Sequence, residues 1–273
     1  MKKHQPQPRA ASELSVVIIA RNEEKNIRYC IESARQVSND IIVVVDSGST
    51  DDTARIAEGC DTRVYVRHWE GYSSQKNFGN QQARHDLILS LDADERVSAA
   101  LAKSIRYSLK NYQPNTLFSI NVLSNFEGRF IYHGGWYPDL HTRIFEKKAT
   151  RWVHSEVHER LESDETARTI RLQGDILHYT APDKIMFREK MKKYATLFAH
   201  DRFKKGINYS PFKKYFSSLF RFFKEYIVKM GFLDGRAGGN IAWENAVYTY
   251  LKYDYLEKLH RFYSLSPTHI SIE

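Results

Sequence analysis

The stretch "LILSLDADERVS", Leu87 to Ser98, sets three carboxylates (Asp92, Asp94 and Glu95) within four positions directly behind an apolar run. Like charges so close repel one another, and Asp is disfavoured inside strands. Leu87–Leu91 is short and continuously apolar but for Ser90, the pattern of a strand buried on both faces. The acidic cluster therefore marks a strand end, where the chain turns toward solvent or a ligand.

The same texture recurs upstream. "LSVVIIA" (Leu14–Ala20), "IIVVV" (Ile41–Val45) and "RVYV" (Arg63–Val66) are short and rich in β-branched residues. Polar, helix-compatible stretches lie between them, at Glu23–Val37, Asp51–Glu58 and Ser73–Arg84. Apolar strands alternating with helices predict an α/β fold with a mainly parallel sheet covered on both faces. In such sheets ligands bind beyond the carboxyl ends of the strands, and "ARNEE", "DSGSTDDT" and "DADE" all fall there. None is a glycine-rich phosphate cradle: both G-x-G-x-x-G and G-x-x-x-x-G-K-[ST] are absent. A phosphorylated ligand at these loops would need a cation, and carboxylates two apart at a strand end suit Mg²⁺ or Mn²⁺ bridging to a diphosphate.

After Val97 the texture changes. Strands are expected at Leu117–Leu123, Phe130–His133, Thr142–Phe145 and Ile170–His178, forming a mixed part of the same sheet, and from Asp183 the pattern is helical. The expected organisation is a loose arm (1–12), a ligand-binding half at the strand ends (13–97), a second half of the same domain (98–181) and a basic, aromatic helical extension (182–273).

Composition narrows the class. A hydrophobic share of 42% with 13% aromatics suits a globular core. Cys30 and Cys60 alone make no disulfide framework and no C-x-x-C metal spacing. No run approaches the ~18 apolar residues of a spanning helix. The N-terminal Lys2-Lys3 with Leu14–Ala20 lacks the cleavage site of a signal peptide, so the protein is expected in the cytosol.

The motifs "SVVIIARNEEKNIRYCIES", "IIVVVDSGSTDDTARIA", "QKNFGNQQA" and "LSLDADE" resemble the nucleotide-sugar half of family 2 inverting glycosyltransferases with the GT-A fold. "GGWYPDLHTRIF", "VHSEVHERL", "ILHYT" and "GFLDGRAGG" resemble one branch, the lipopolysaccharide-core β-glucosyltransferases. The resemblance covers most of the chain. It implies that Arg21, Glu23 and Asp46 hold uracil and ribose of a UDP-sugar and that Lys76 faces its diphosphate. It further implies that Asp92 positions ribose and metal, while Asp94 binds the metal, with His178 as a late ligand. Inverting transfer also needs a general base near the acceptor hydroxyl. Glu159 in "VHERL" is expected in that role, with Asp139 in "WYPD" as the alternative. Trp136, Tyr137 and Arg143 are expected to serve the acceptor, since aromatic faces suit sugar C–H surfaces and arginine suits phosphates. "HSEVH" (His154–His158) is not a zinc helix, because Glu156 occupies neither position that such motifs require.

The net charge of +8 is local. Asp183–Lys229 holds thirteen basic and four acidic residues, more than the whole excess. Within it "PFKKYFSSLFRFFKEYIVKM" (Pro211–Met230) gathers its aromatics on one helical face at ~100° per residue, with most lysines off that face. Such a helix suits an anionic membrane surface, or packing on the protein's own core. No nucleic-acid reading motif accompanies the basic surface. The expectation is a peripheral enzyme on the inner face of a bacterial cytoplasmic membrane, moving a hexose such as glucose onto a phosphorylated glycolipid. A different lipid-linked or capsular acceptor, or a non-catalytic nucleotide-sugar-binding scaffold, is the alternative.

Overall fold

The computed structural model describes residues 13–153, 160–179 and 184–265. The chain forms two compact units. The first runs to Leu123 and resumes at Asp139–Tyr179; the second comprises Ser124–Pro138 and the chain from residue 180 onward.

The first unit is built on β1 (Leu14–Ala20), every residue of which is buried. β2 (Asp40–Asp46) and β4 (Leu87–Asp92) flank it in parallel, and β3 (Arg63–Arg67) extends the sheet beyond β2. Helices α1 (Ile27–Ala34), α2 (Thr53–Glu58) and α3 (Tyr72–Gln82) make the crossovers. Antiparallel β8 (Leu140–Glu146) pairs with β4. Next come β6 (Thr116–Phe126), β11 (Arg168–His178) and β5 (Glu95–Val97), giving the order β3-β2-β1-β4-β8-β6-β11-β5. The parallel half and the mixed half share one sheet, as the strand texture predicts. β9 (Thr150–Val153) and β10 (Arg160–Ser163) form a separate antiparallel pair.

Alternate β1 residues face opposite layers, because a strand's side chains have a period of two. Val16, Ile18 and Ala20 pack with Ile27, Cys30 and Ile31 of α1 and with Leu101 and Ile105 of α4 (Ala99–Lys110). Val17 and Ile19 pack with Ile42, Val44, Ile88 and Phe145. On this second face α3 lies close to the sheet at Gly79. A Cβ there would stand 2.4 Å from Val17 Cγ1 and 3.1 Å from Val44 Cγ2. That approach brings the same face of α3, one turn earlier at Lys76, down to the sheet.

Several element bounds differ from the sequence expectation. The helix expected from Glu23 begins at Ile27, because residues 22–24 are tied to the loop after β2. The Asn22 N–H donates to Ser49 Oγ (3.2 Å), Glu23 N–H to Thr53 Oγ1 (2.7 Å) and Glu24 N–H to Asp51 Oδ2 (3.0 Å). The strand expected at Phe130–His133 shrinks to β7 (Arg129–Phe130), because buried Asp234 takes the Tyr132 and His133 N–H groups (3.2 and 2.8 Å).

The second unit is helical: α5 (Lys184–Lys204), α6 (Pro211–Phe223) and α7 (Gly235–Leu265). A small core joins Phe126 and Ile131 to Ala237 and Ile241, with Trp136 packed against it. The helix expected through Met230 changes at Lys224–Val228 to a π turn. There the side chain of Glu225 is buried, accepting from Asn245 Nδ2 (2.8 Å) and pairing with Arg221 Nε (2.5 Å). No described helix is long and apolar enough to cross a membrane.

Candidate active site

The carboxyl ends of β1, β2 and β4 carry the acidic loops. Asp46, last in β2, is 3% exposed; its Oδ1 accepts the Gly48 N–H (2.9 Å), and its Oδ2 lies 3.2 Å from Arg21 Nε. This ion pair spans the ends of two neighbouring strands and leaves the guanidinium half exposed. Thr50 N–H donates to Asn22 Oδ1 (2.8 Å), so "ARNEE" and "DSGSTDDT" form one stitched rim. Glu23 accepts from Asn26 Nδ2 (2.9 Å). Burial pushes its carboxyl up and the nearby charges of Asp94 and Asp51 add to that, against the pull of the Asn26 hydrogen bond.

β4 ends on Asp92, whose Oδ1 stands 3.4 Å from Lys76 Nζ. Lys76 is not a surface lysine: it is 2% exposed, with its ammonium 4.8 Å from the centre of the Trp152 ring. Burial opposes ionisation of Asp92, but the charges of Lys76, Arg143 and His178 outweigh it and hold the carboxyl below its ordinary range.

Arg143, expected at the acceptor, is instead buried. Its Nη2 donates to Glu95 Oε1 (2.5 Å) and its Nη1 lies 3.9 Å from Asp92 Oδ2. The reason is its place on β8, the strand paired with β4, which sets it beneath the acidic cluster.

Glu95 is the member of "DADE" to which the sequence assigned no role. It is 1% exposed, and its Oε2 accepts the Asp92 N–H (2.9 Å). Burial pushes its carboxyl up, with Arg143 acting against that and Asp92 adding to it. Glu95 and Val97 share the buried face of β5, a placement that only the pairing of that strand with β11 reveals.

Asp94 Oδ2 meets His178 Nε2 at 3.1 Å, bringing together residues 84 positions apart. The His178 ring is pulled down by burial, but its bond to Asp94 and the charges of Asp94, Glu95 and Asp92 outweigh this and raise it. The same negative surroundings attract a divalent cation, which would have to displace that proton from the imidazole. Oxygen and imidazole donors suit a divalent ion. No group of three His, Cys, Asp or Glu forms a ready-made cage among the described residues. Mg²⁺ is commonly held by one or two carboxylates with the remaining positions left to waters and substrate phosphates, so the Asp94 carboxylate fits such an ion, with His178 beside it.

Asp139, half exposed, has its Oδ2 2.9 Å from His141 Nε2. Trp136 and Tyr137 belong to the second unit, where Trp136 packs edge-on against Phe126 and Tyr137 against Tyr132. Glu159, with His154 and His158, lies outside the described residues.

The rim at the strand ends and the acid–imidazole pair beside it lie where open α/β sheets of enzymes bind their ligands. The glycosyl transferase family 2 model matches residues 15–195, and the chain belongs to that family. It is 27% identical over 238 residues to an uncharacterized glycosyltransferase of Rickettsia prowazekii (82% of this chain, 80% of that one). It is 28% identical over 254 residues to the lipopolysaccharide core biosynthesis glycosyltransferase LpsC of Rhizobium meliloti (87% of this chain, 89% of that one). Among solved structures, S. aureus TarS 1–349 in complex with UDP-GlcNAc is similar with a TM-score of 0.44 at 15% identity, over 93% of this chain and 92% of that one. The protein is a glycosyltransferase that draws its sugar from a nucleotide donor.

Proposed function

We propose that the enzyme is an inverting transferase that moves a hexose, glucose from UDP-glucose, onto an inner-core sugar of lipopolysaccharide with the help of Mg²⁺ or Mn²⁺. The observation that carries the reading is the meeting of Asp94 and His178 at 3.1 Å next to the Asp92–Lys76 pair. The role of LpsC in lipopolysaccharide core biosynthesis supports the acceptor class.

In this reading Asp46 accepts from the uracil N–H, while Arg21 and Glu23 border base and ribose. Asp92 orients the ribose; Lys76 places a positive charge toward the diphosphate. Asp94 and His178 hold the divalent ion, with Asp92 beside them. When bound, the ion neutralises charge gathering on the departing diphosphate. Arg143 and Glu95 do not touch substrate; they fix the backbone and side chain of Asp92 from below. Glu159 takes the proton of the acceptor hydroxyl, with Asp139 the alternative base, its carboxylate oriented by His141. The acceptor oxygen bonds to the anomeric carbon as the bond from that carbon to the diphosphate oxygen breaks, and the electron pair leaves with UDP. Trp136 and Tyr137 are proposed to contact the acceptor. A glycolipid acceptor places the work at a membrane surface.

Slow hydrolysis of a panel of UDP-sugars, with and without Mg²⁺, tests the donor and metal together. UDP-glucose turnover that needs the cation is the expected result. Equal turnover in a chelator, or turnover of another nucleotide series only, would refute the reading. Glu159→Gln and Asp139→Asn in the same assay with acceptor present assign the base.

A further inference from the structure

An amphipathic helix in a globular unit ordinarily turns its apolar stripe inward. α6 does the reverse. Phe212, Phe216, Leu219, Phe220 and Phe223 are all more than half exposed, reaching 80% at Phe212 and 73% at Phe216. At ~100° per residue they fall within an arc of roughly 100°. The inward face is the polar one. Lys214 Nζ lies 3.0 Å from Asp254 Oδ1 and 2.8 Å from Glu257 Oε2, both on α7. Glu225, just beyond the end of α6, accepts from Asn245 Nδ2 on the same helix. These contacts fix the rotation of α6: turning the aromatics inward would strip Lys214 of two carboxylates.

We propose that α6 lies in the plane of an anionic lipid surface, its aromatic face at the acyl boundary and its polar face held on α7. Large contiguous apolar patches mark contact surfaces, and charge identifies the occupant. Lys213 and Lys224 fall at the edge of the aromatic arc, and Lys229 follows it; all three are exposed. A cationic border beside an aromatic face complements acidic headgroups. A second copy of the chain is the poorer partner, because a twofold contact would set the same face, with its lysines, against itself. This surface deepens the glycolipid reading above by supplying the membrane contact, and it depends on neither the metal nor the donor.

The test is sedimentation of the full chain with vesicles containing phosphatidylglycerol and with vesicles of phosphatidylcholine alone. The wild type should pellet with the acidic vesicles at least about tenfold more strongly than with the neutral ones. Phe216→Ser/Leu219→Ser/Phe223→Ser should lose that binding while keeping its circular-dichroism melt, since these side chains are exposed. Lys224→Ser/Lys229→Ser, which leaves the aromatic face intact, should weaken the preference for acidic lipid several-fold. Wild type left in the supernatant with acidic vesicles, or a triple variant that folds and pellets like it, would overturn the proposal. So would a wild-type dimer that the triple substitution splits and that ignores vesicles. UDP-glucose hydrolysis without lipid should be unchanged in both variants; vesicle binding without hydrolysis would sink the transfer reading alone.

Discussion

Lys76 Nζ lies 3.4 Å from Asp92 Oδ1, on a side chain of which 2% is exposed. Burying an ammonium without a partner is costly, and the Asp92 carboxylate offsets that cost here. The pair joins α3 to the end of β4, and the close seat of α3 at Gly79 makes the approach geometrically available. In the role proposed for Lys76, a buried, fixed ammonium would need no reorganisation as charge develops on a leaving diphosphate, which is the condition for strong electrostatic stabilisation.

Replacing Lys76 with Met keeps the stem and removes the charge. Donor hydrolysis should fall about 100-fold in kcat/KM, roughly 2.7 kcal/mol of lost transition-state stabilisation. A decrease of less than about threefold in a folded variant would assign Lys76 a structural task only.

Arg143 and Glu95 form a pair in which both side chains are nearly inaccessible. Arg143→Leu strands the Glu95 carboxylate and should cost about 3 kcal/mol of stability, read from urea midpoints. Glu95→Gln in the same background should recover part of that loss, with a coupling of about 1–3 kcal/mol. Additive effects would show that the two residues do not act as a unit.

Asp40 opens β2 at the opposite end of the sheet, accepting from Ser15 Oγ (2.6 Å), Arg63 Nη2 (2.6 Å) and the Arg84 N–H (2.9 Å). Burial raises its carboxyl, but these hydrogen bonds and the Arg63 charge outweigh that and lower it. A carboxyl depressed in the folded state stabilises fully above its unfolded value of about 3.9. That contribution is lost as pH falls through the lower folded value. Asp40→Asn should therefore be less stable than wild type at neutral pH, and the gap should narrow as pH drops below about 4. A gap independent of pH in thermal melts would contradict the linkage.

Much of the site could be read from the sequence because strand ends are sharply marked. Continuous apolar runs that stop at Asp46 and at Asp92 locate the carboxyl edge of a parallel sheet without any knowledge of contacts. Burial was harder to read. Lys76 and Arg143 look like solvated cations, and only the helix seat at Gly79 and the antiparallel partner of β4 put them inside. The role of Glu95 depends on that same long-range pairing with Arg143. Helical periodicity correctly gave α6 two unlike faces, yet periodicity does not say which face turns inward. That was decided by Asp254 and Glu257, some forty residues downstream on α7.

Calorimetric titration of UDP into the protein with Mn²⁺ or with a chelator tests the Asp94–His178 assignment most directly. Wild type should bind UDP at least about tenfold more tightly with Mn²⁺ (about 1.4 kcal/mol), and Asp94→Ala should lose that advantage while still binding UDP weakly. Equal affinity with and without the ion in wild type, or an undiminished Mn²⁺ effect in Asp94→Ala, would contradict it.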